Sequence, residues 1–360
     1  MTVWRAAAIL MLVACGASCS SDRQDSSINK DVNITMRTHC VGRYLIDLPE
    51  SFAWAETPDA TLYYGLDADH KTVDVRIIDC AATREEFIAG VTTRAREIAS
   101  EENEVSGESM LVRNEELKDG NVLLRYFDST LSDSYHRHEI HVFLQGVHVM
   151  LAAASFEGMV EPVEQRLKKL SSQISLIESS NGPGLCLGPV RINADHDHEE
   201  ISTYARDKRR PDVLFSVYMS AITPDQEEGL IDQIEREKEA LATPPKFLRK
   251  GATELGGMKA EEALMRFNED GITMHSFAIW SKRREPSFEH PTITLSLSTG
   301  GELPGDLRPP DPLRYGIHDE DTPHELPART VTSSLGDEEA MSMWDAIVRT
   351  VRLRPDALSK

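Results

Sequence analysis

The sequence predicts an α+β fold of two similar α+β domains, each an antiparallel sheet packed with two helices. Three observations predict it. The stretch Cys40-Val41-Gly42-Arg43-Tyr44-Leu45-Ile46 returns as Cys186-Leu187-Gly188-Pro189-Val190-Arg191-Ile192. After each copy come a helix-period segment, a run of strand-period segments and a closing amphipathic helix that feeds a short strand. The closing helices also keep register: Val163, Leu167, Leu170, Ile174 and Leu176 match Ala340, Trp344, Ile347, Val351 and Leu353 at one constant offset. Internal duplication accounts for all three.

Taken in order, residues 1–14 read as a lipoprotein-type signal peptide. Arg5 precedes the apolar run Ala6 to Ala14, which is too short to span a bilayer. Leu12-Val13-Ala14-Cys15 resembles a bacterial lipobox, so Cys15 is the expected lipid attachment. Cys19 is second, because Gly16 lacks the branched side chain preferred at that place. Gly16 after Cys15 supplies no inner-membrane retention signal. The expected location is therefore the periplasm, lipid-anchored to the outer membrane. Polar residues 15–35 read as a flexible tether.

The N-terminal domain is expected over 36–178. Cys40 to Leu48 reads as a strand stopped by Pro49, and Val73, Val75 and Ile77 alternate along another. Thr83 caps a helix striped by Phe87, Val91, Ala95 and Ile98. Leu111 to Leu117, a Lys118-Asp119-Gly120-Asn121 turn and Val122 to Phe127 read as a hairpin, followed by Ile140 to Leu144 and Val147 to Ala154. Breaker-rich residues 179–184 read as a linker.

The C-terminal domain, 185–355, repeats the plan, with Leu230, Ile234 and Leu241 striping its first helix. Arg266-Phe267-Asn268 echoes Tyr126-Phe127-Asp128, and Ile293, Leu295 and Leu297 alternate in a late strand. An insertion, 300–334, holds six prolines (Pro304, Pro309, Pro310, Pro312, Pro323, Pro327) and reads as a partner-contacting loop. Export puts the cysteines in an oxidising compartment. Neighbouring strands put Cys40 and Cys80 within disulfide reach, leaving Cys186 as a small buried residue.

Chemistry is scarce. The formal charge of −21, from 60 acidic against 39 basic side chains, disfavours nucleic acid and anionic lipid surfaces. Contact with the membrane is expected only through the N-terminal lipid. No G-x-S-x-G elbow occurs, and His138-Glu139-Ile140-His141 lacks zinc-helix spacing. On strands, His136 and His138 share a face that His141 does not, which prevents a three-histidine metal site. Asp195-His196-Asp197-His198-Glu199-Glu200 reads as a solvated acidic turn rather than a calcium loop. Gly182-Pro183-Gly184 with Gly188 is no phosphate cradle, and Glu115-Glu116 no special carboxylate pair. No catalytic residue, metal or cofactor is expected.

The exported lead, the Cys-x-Gly strand in His39-Cys40-Val41-Gly42-Arg43-Tyr44-Leu45-Ile46-Asp47-Leu48-Pro49, its second version at Gly184 to Ile192 and the two halves resemble the type VI secretion lipase immunity proteins cognate to Tle family 4 phospholipases. The resemblance spans about residues 36 to 355. It implies a non-enzymatic periplasmic protein whose partner is a secreted phospholipase effector, blocked by a two-domain clamp. It identifies no effector-binding residues. An envelope lipoprotein that binds another protein as scaffold or assembly factor is the alternative.

Overall fold

Alternating apolar residues dominate the chain, and strands dominate its structure. The computed structural model describes residues 35–358, apart from 56–57, 223–227, 238–242, 282–284 and 304–328. The leader with Cys15 and Cys19, the tether, Leu241 and most of the insertion lie outside the described residues.

The first half holds β1 (Met36–Val41), β2 (Tyr44–Pro49), β3 (Phe52–Trp54), β4 (Asp59–Tyr63), β5 (Thr72–Asp79), α1 (Arg84–Ser100), β6 (Leu111–Glu116), β7 (Val122–Ser129), β8 (Ser132–Leu144), β9 (Val147–Phe156), α2 (Val160–Ser171) and β10 (Ile174–Leu176). The second holds β11 (Leu185–Leu187), β12 (Val190–Ile192), β13 (His198–Asp207), β14 (Leu214–Ser220), α3 (Leu230–Glu237), β15 (Lys246–Leu255), β16 (Met258–Glu269), β17 (Ile272–Ser281), β18 (Thr292–Thr299), β19 (Gly301–Leu303), β20 (Arg329–Val331), α4 (Asp337–Val348) and β21 (Arg352–Leu353).

The expectation of two α+β domains, each closing its own sheet under two helices, is overturned. The fold is sheet-dominated, and most strands form one thirteen-stranded antiparallel sheet. Its order is β15-β16-β17-β18-β14-β13-β4-β5-β9-β8-β7-β6, with β3 beside β13. The cause is the β4–β13 ladder, which pairs Tyr63 with His198 and Thr61 with Glu200 and so joins the halves edge to edge. Burying both edges against each other removes two open ladders that would otherwise invite foreign strands.

Two small three-stranded sheets complete the exchange: β1-β2-β21 and β10-β12-β11. Each half's closing strand pairs with the other half's opening hairpin. Ile174 sits opposite Ile192, and Leu353 opposite Tyr44. Thr35–Lys360 cluster as one compact unit.

The repeated Cys-x-Gly segments meet. Gly42 N donates to Cys186 O at 2.9 Å and Cys186 N to Gly42 O at 2.8 Å. The disulfide is Cys40–Cys186, with Cα atoms 5.7 Å apart. The expected Cys40–Cys80 bond is wrong because β5, which ends beside Cys80, pairs with β4 and β9 and never with β1. Cys80 is exposed. Each segment needs its glycine: φ is +58° at Gly42 and +55° at Gly188, and a Cβ on Gly42 would meet Ile201 Cδ1 at 2.6 Å.

Period-2 alternation then sorts the large sheet's faces. Val73, Val75, Ile77, Ile293, Leu295 and Leu297 turn to one face, into the main core with α2, α4 and the small sheets. Beneath α2, Glu164 binds Arg113 at 2.6 Å and Arg125 at 3.2 Å, with His138 3.5 Å away. Beneath α4, Asp337 binds Arg266 at 3.1 Å and His275 at 3.0 Å. Arg125 lies opposite His138 and Arg266 opposite His275, so Arg266 corresponds to Arg125. The echo of Arg266 with Tyr126 is therefore one residue out of register, a slip that would turn its side chain to the wrong face.

The other face carries α1 and α3. Thr83 caps α1 in a capping box with Glu86, and Phe87, Val91, Ala95 and Ile98 close a satellite core with Met110, Leu124 and Phe127. In the second half α3 keeps only eight described residues, none of them fully buried.

Candidate functional site

Between α1 and α3 the second face runs over β5, β4, β13, β14 and β18. No described helix packs on these strands there. At ~4.8 Å per strand this floor is about 20 Å wide. The register identifies its side chains. Asp74 and Arg76 come from β5, Asp59, Thr61 and Tyr63 from β4, and Glu200, Ser202 and Tyr204 from β13. Ser216 and Tyr218 follow from β14, and Thr294 and Ser296 from β18. All are half-buried or exposed.

Glu200 organises the centre. Tyr63 Oη donates to Glu200 Oε2 at 2.5 Å, while Tyr218 Oη and Ser220 Oγ (3.0 Å) donate to Oε1. Burial first, and the Glu200 carboxylate second, push both phenols well above the usual tyrosine range. They stay protonated donors at every physiological pH. Tyr63 belongs to the first half and Glu200 and Tyr218 to the second, so the group straddles the junction. Tyr204, 47 % exposed, and Tyr218, 39 % exposed, present their rings outward. Tyrosines set among serines and threonines give rigid, amphipathic contact area at little entropic cost, the chemistry of protein-binding surfaces.

Charged pairs brace this floor. At the junction, Arg43 forks onto Glu199, Nε to Oε1 at 2.9 Å and Nη2 to Oε2 at 3.0 Å. His196 Nε2 lies 2.8 Å from Glu199 Oε2, and the Arg43 guanidinium stacks 4.3 Å from the Phe288 ring. Burial raises the Glu199 pKa, but its His196 and Arg43 partners outweigh that and hold it below the usual carboxylate range. The segment expected as a solvated acidic turn is thus partly buried structure: a histidine and a carboxylate matched to one arginine.

Under α1, Arg94 Nη2 meets Glu139 Oε1 at 2.8 Å, Tyr126 Oη donates to the same oxygen at 2.7 Å, and His141 Nε2 lies 3.0 Å from Oε2. His141 Nδ1 lies 3.0 Å from His148 Nε2. The four histidines of this region do separate by face. His138 is buried on the α2 side, within 2.8 Å of Ser155 Oγ, whereas His141 and His148 lie under α1. No metal-ligating cluster occurs among the described residues. Glu115 pairs with Arg113 at 2.7 Å, and the Gly182 and Gly184 carbonyls accept from Arg354. A groove of about 220 Å³ between α1 and the β6–β7 hairpin is lined by Arg84, Phe87, Ile88, Asn114, Glu116 and neighbours.

Sequence reasoning missed the tyrosine floor. Its signal was present: Ser202, Tyr204, Ser216 and Tyr218 fall at alternate positions of two adjacent strands, marking a polar face with aromatic points.

Comparison with known proteins identifies the fold and the family. None of the curated proteins matches. The solved apo structure of the immunity protein TplEi of T6SS from Pseudomonas aeruginosa is 20% identical, covers 89% of this chain and 98% of its own, and has a TM-score of 0.64. A structure of the Tle4–Tli4 complex gives 20% identity, the same coverage and a TM-score of 0.65. TplEi complexed with an "L" peptide gives 20%, again at 89% and 98% coverage, and 0.59. These likenesses are in the fold. The family models for the Tle cognate immunity protein 4 N-terminal and C-terminal domains match residues 37–180 and 178–356, together nearly the whole described chain. The chain belongs to the Tle cognate immunity protein 4 family.

Proposed function

We propose that this protein is the periplasmic antidote to a type VI secreted phospholipase, anchored through Cys15 and blocking the enzyme by gripping it between its two halves. Family membership supports the class of function, and a relative of the same fold is solved with its effector, Tle4. The observation that carries the mode of action is the sheet face that no described helix covers. It is walled by α1 and α3 and floored by Tyr63, Tyr204, Tyr218 and their serine and threonine neighbours. A rigid floor shared by both halves excludes a substrate by contact alone, without chemistry. The test is expression of a Tle family 4 phospholipase in the periplasm of a sensitive cell. Co-expression of the immunity protein should restore growth. Equal killing with and without it would sink the proposal.

A further inference from the structure

Beyond α1 the first half ends in an apolar tip. Val105 is 57 % exposed, Leu131 70 %, Tyr135 56 % and Phe156 43 %. Tyr135 and Phe156 are direct cross-strand partners on β8 and β9, and Leu131 occupies the β7–β8 turn. Water-exposed apolar side chains on loops are ordinarily free to fold away, but here one buried residue prevents it. Asn103 is fully buried. Its Nδ2 donates to Ser129 O at 3.0 Å and Ser132 O at 2.9 Å, and its Oδ1 accepts from Val105 N at 3.1 Å and Ser106 N at 2.9 Å. Glu104 N donates to Thr130 O at 2.8 Å. The amide's two donors fasten the 103–108 loop to the hairpin and its oxygen sets the turn within the loop, with Val105 and Leu131 exposed.

Five acidic side chains surround the tip, while the His70 ring packs edge-on to Phe156 at 5.3 Å. Glu102, Glu104, Glu108, Asp133 and Glu157 are all exposed around it. The cation Arg137, on the same hairpin, is turned to Asp128 at 3.8 Å. A rigid apolar centre inside an acidic ring matches one kind of surface, an apolar recess rimmed by lysine and arginine.

We infer that this tip is a docking anchor for the secreted effector, seated in an apolar recess with a basic rim, and that the acidic ring steers its approach. The inference rests on the proposed function and adds a second contact, beyond the tyrosine floor. Preorganisation by Asn103 removes the ordering cost that a mobile loop would incur on binding. Removing the apolar centre should speed dissociation, whereas reversing the ring should slow association.

The test uses the full chain against the Tle family 4 phospholipase that it neutralises in the co-expression assay, followed by biolayer interferometry. Val105→Asp with Leu131→Asp should weaken Kd at least tenfold, mostly through faster dissociation, with an unchanged melting temperature. The milder Leu131→Ser serves if the double variant melts early. Glu104→Lys with Glu108→Lys should slow association several-fold and flatten its salt dependence. Wild-type affinity in both sets overturns the inference while leaving the antidote reading intact. Failure of the wild-type chain to bind the phospholipase overturns that reading and the inference with it. Self-association that Leu131→Ser abolishes, with effector affinity retained, makes the tip a contact between copies and also overturns the inference.

Discussion

Arg94 and Glu139 show how much one buried pair can decide. The two side chains are nearly inaccessible, and Tyr126 and His141 complete the hydrogen bonding of the carboxylate. Burial raises the Glu139 pKa, yet the hydrogen bond from His141 and the Arg94 charge overcome it and hold the group far below the usual range. Arg94→Met leaves that charge buried without its main partner, and urea denaturation should show a loss of about 3–5 kcal/mol. Burial acts on histidines in the opposite sense. Chiefly by desolvation, His138 and His148 are each lowered from 6.5 to about 3. Their neutral forms therefore contribute stability that is complete above pH 6.5 and lost as pH falls toward 3. At pH 5 each should cost about 2 kcal/mol relative to pH 7.5. Urea titrations at the two pH values measure this, and His138→Gln should remove its share of the difference.

Elements with a local period were legible from sequence. The stripe of Phe87, Val91, Ala95 and Ile98, with Thr83 as cap, is α1 as expected, and Thr83→Ala should lower the melting free energy by about 1 kcal/mol. Val163, Leu167 and Leu170 in α2, and Ala340, Trp344 and Ile347 in α4, are likewise buried. What local pattern could not reveal was which strand lies beside which. Alternation in β4 and β13 says that each has a buried face, not that they pair with each other. The exchange of β10 and β21, and with it the true partner of Cys40, depends on that non-local pairing. Two equivalent cysteines that approach each other at a junction are a signal only once the junction is known. Because the bond ties residues so distant in sequence, removing it with Cys40→Ser and Cys186→Ser should cost about 2–5 kcal/mol, read by thermal melting.

At the scale of the whole molecule, the proposed binding surface is one that neither half owns. Tyr63 and Glu200 share one hydrogen bond across the junction, and the floor exists only when β4 meets β13. Tyr204→Ala with Tyr218→Ala removes the outward rings without touching either core. Affinity for the effector should fall more than tenfold in calorimetric titration, with the melting temperature retained. That surface escaped the sequence because half-buried tyrosines, serines and threonines resemble any solvated strand until their neighbours are known.

The crossed closing strands also set a timetable. The opening hairpin is made first and pairs Tyr44 with Val41 and Leu45 with Cys40, yet Tyr44 and Leu45 gain their second β-partner only when Leu353 and Arg352 arrive, about 300 residues later. Contacts of such sequence separation fold slowly, because the loop between them must be ordered before the contact rewards it. A chain emerging from one end can therefore lay down the ladders of β4 to β9 early, but its first small sheet stays one strand short until residues 352–353 appear.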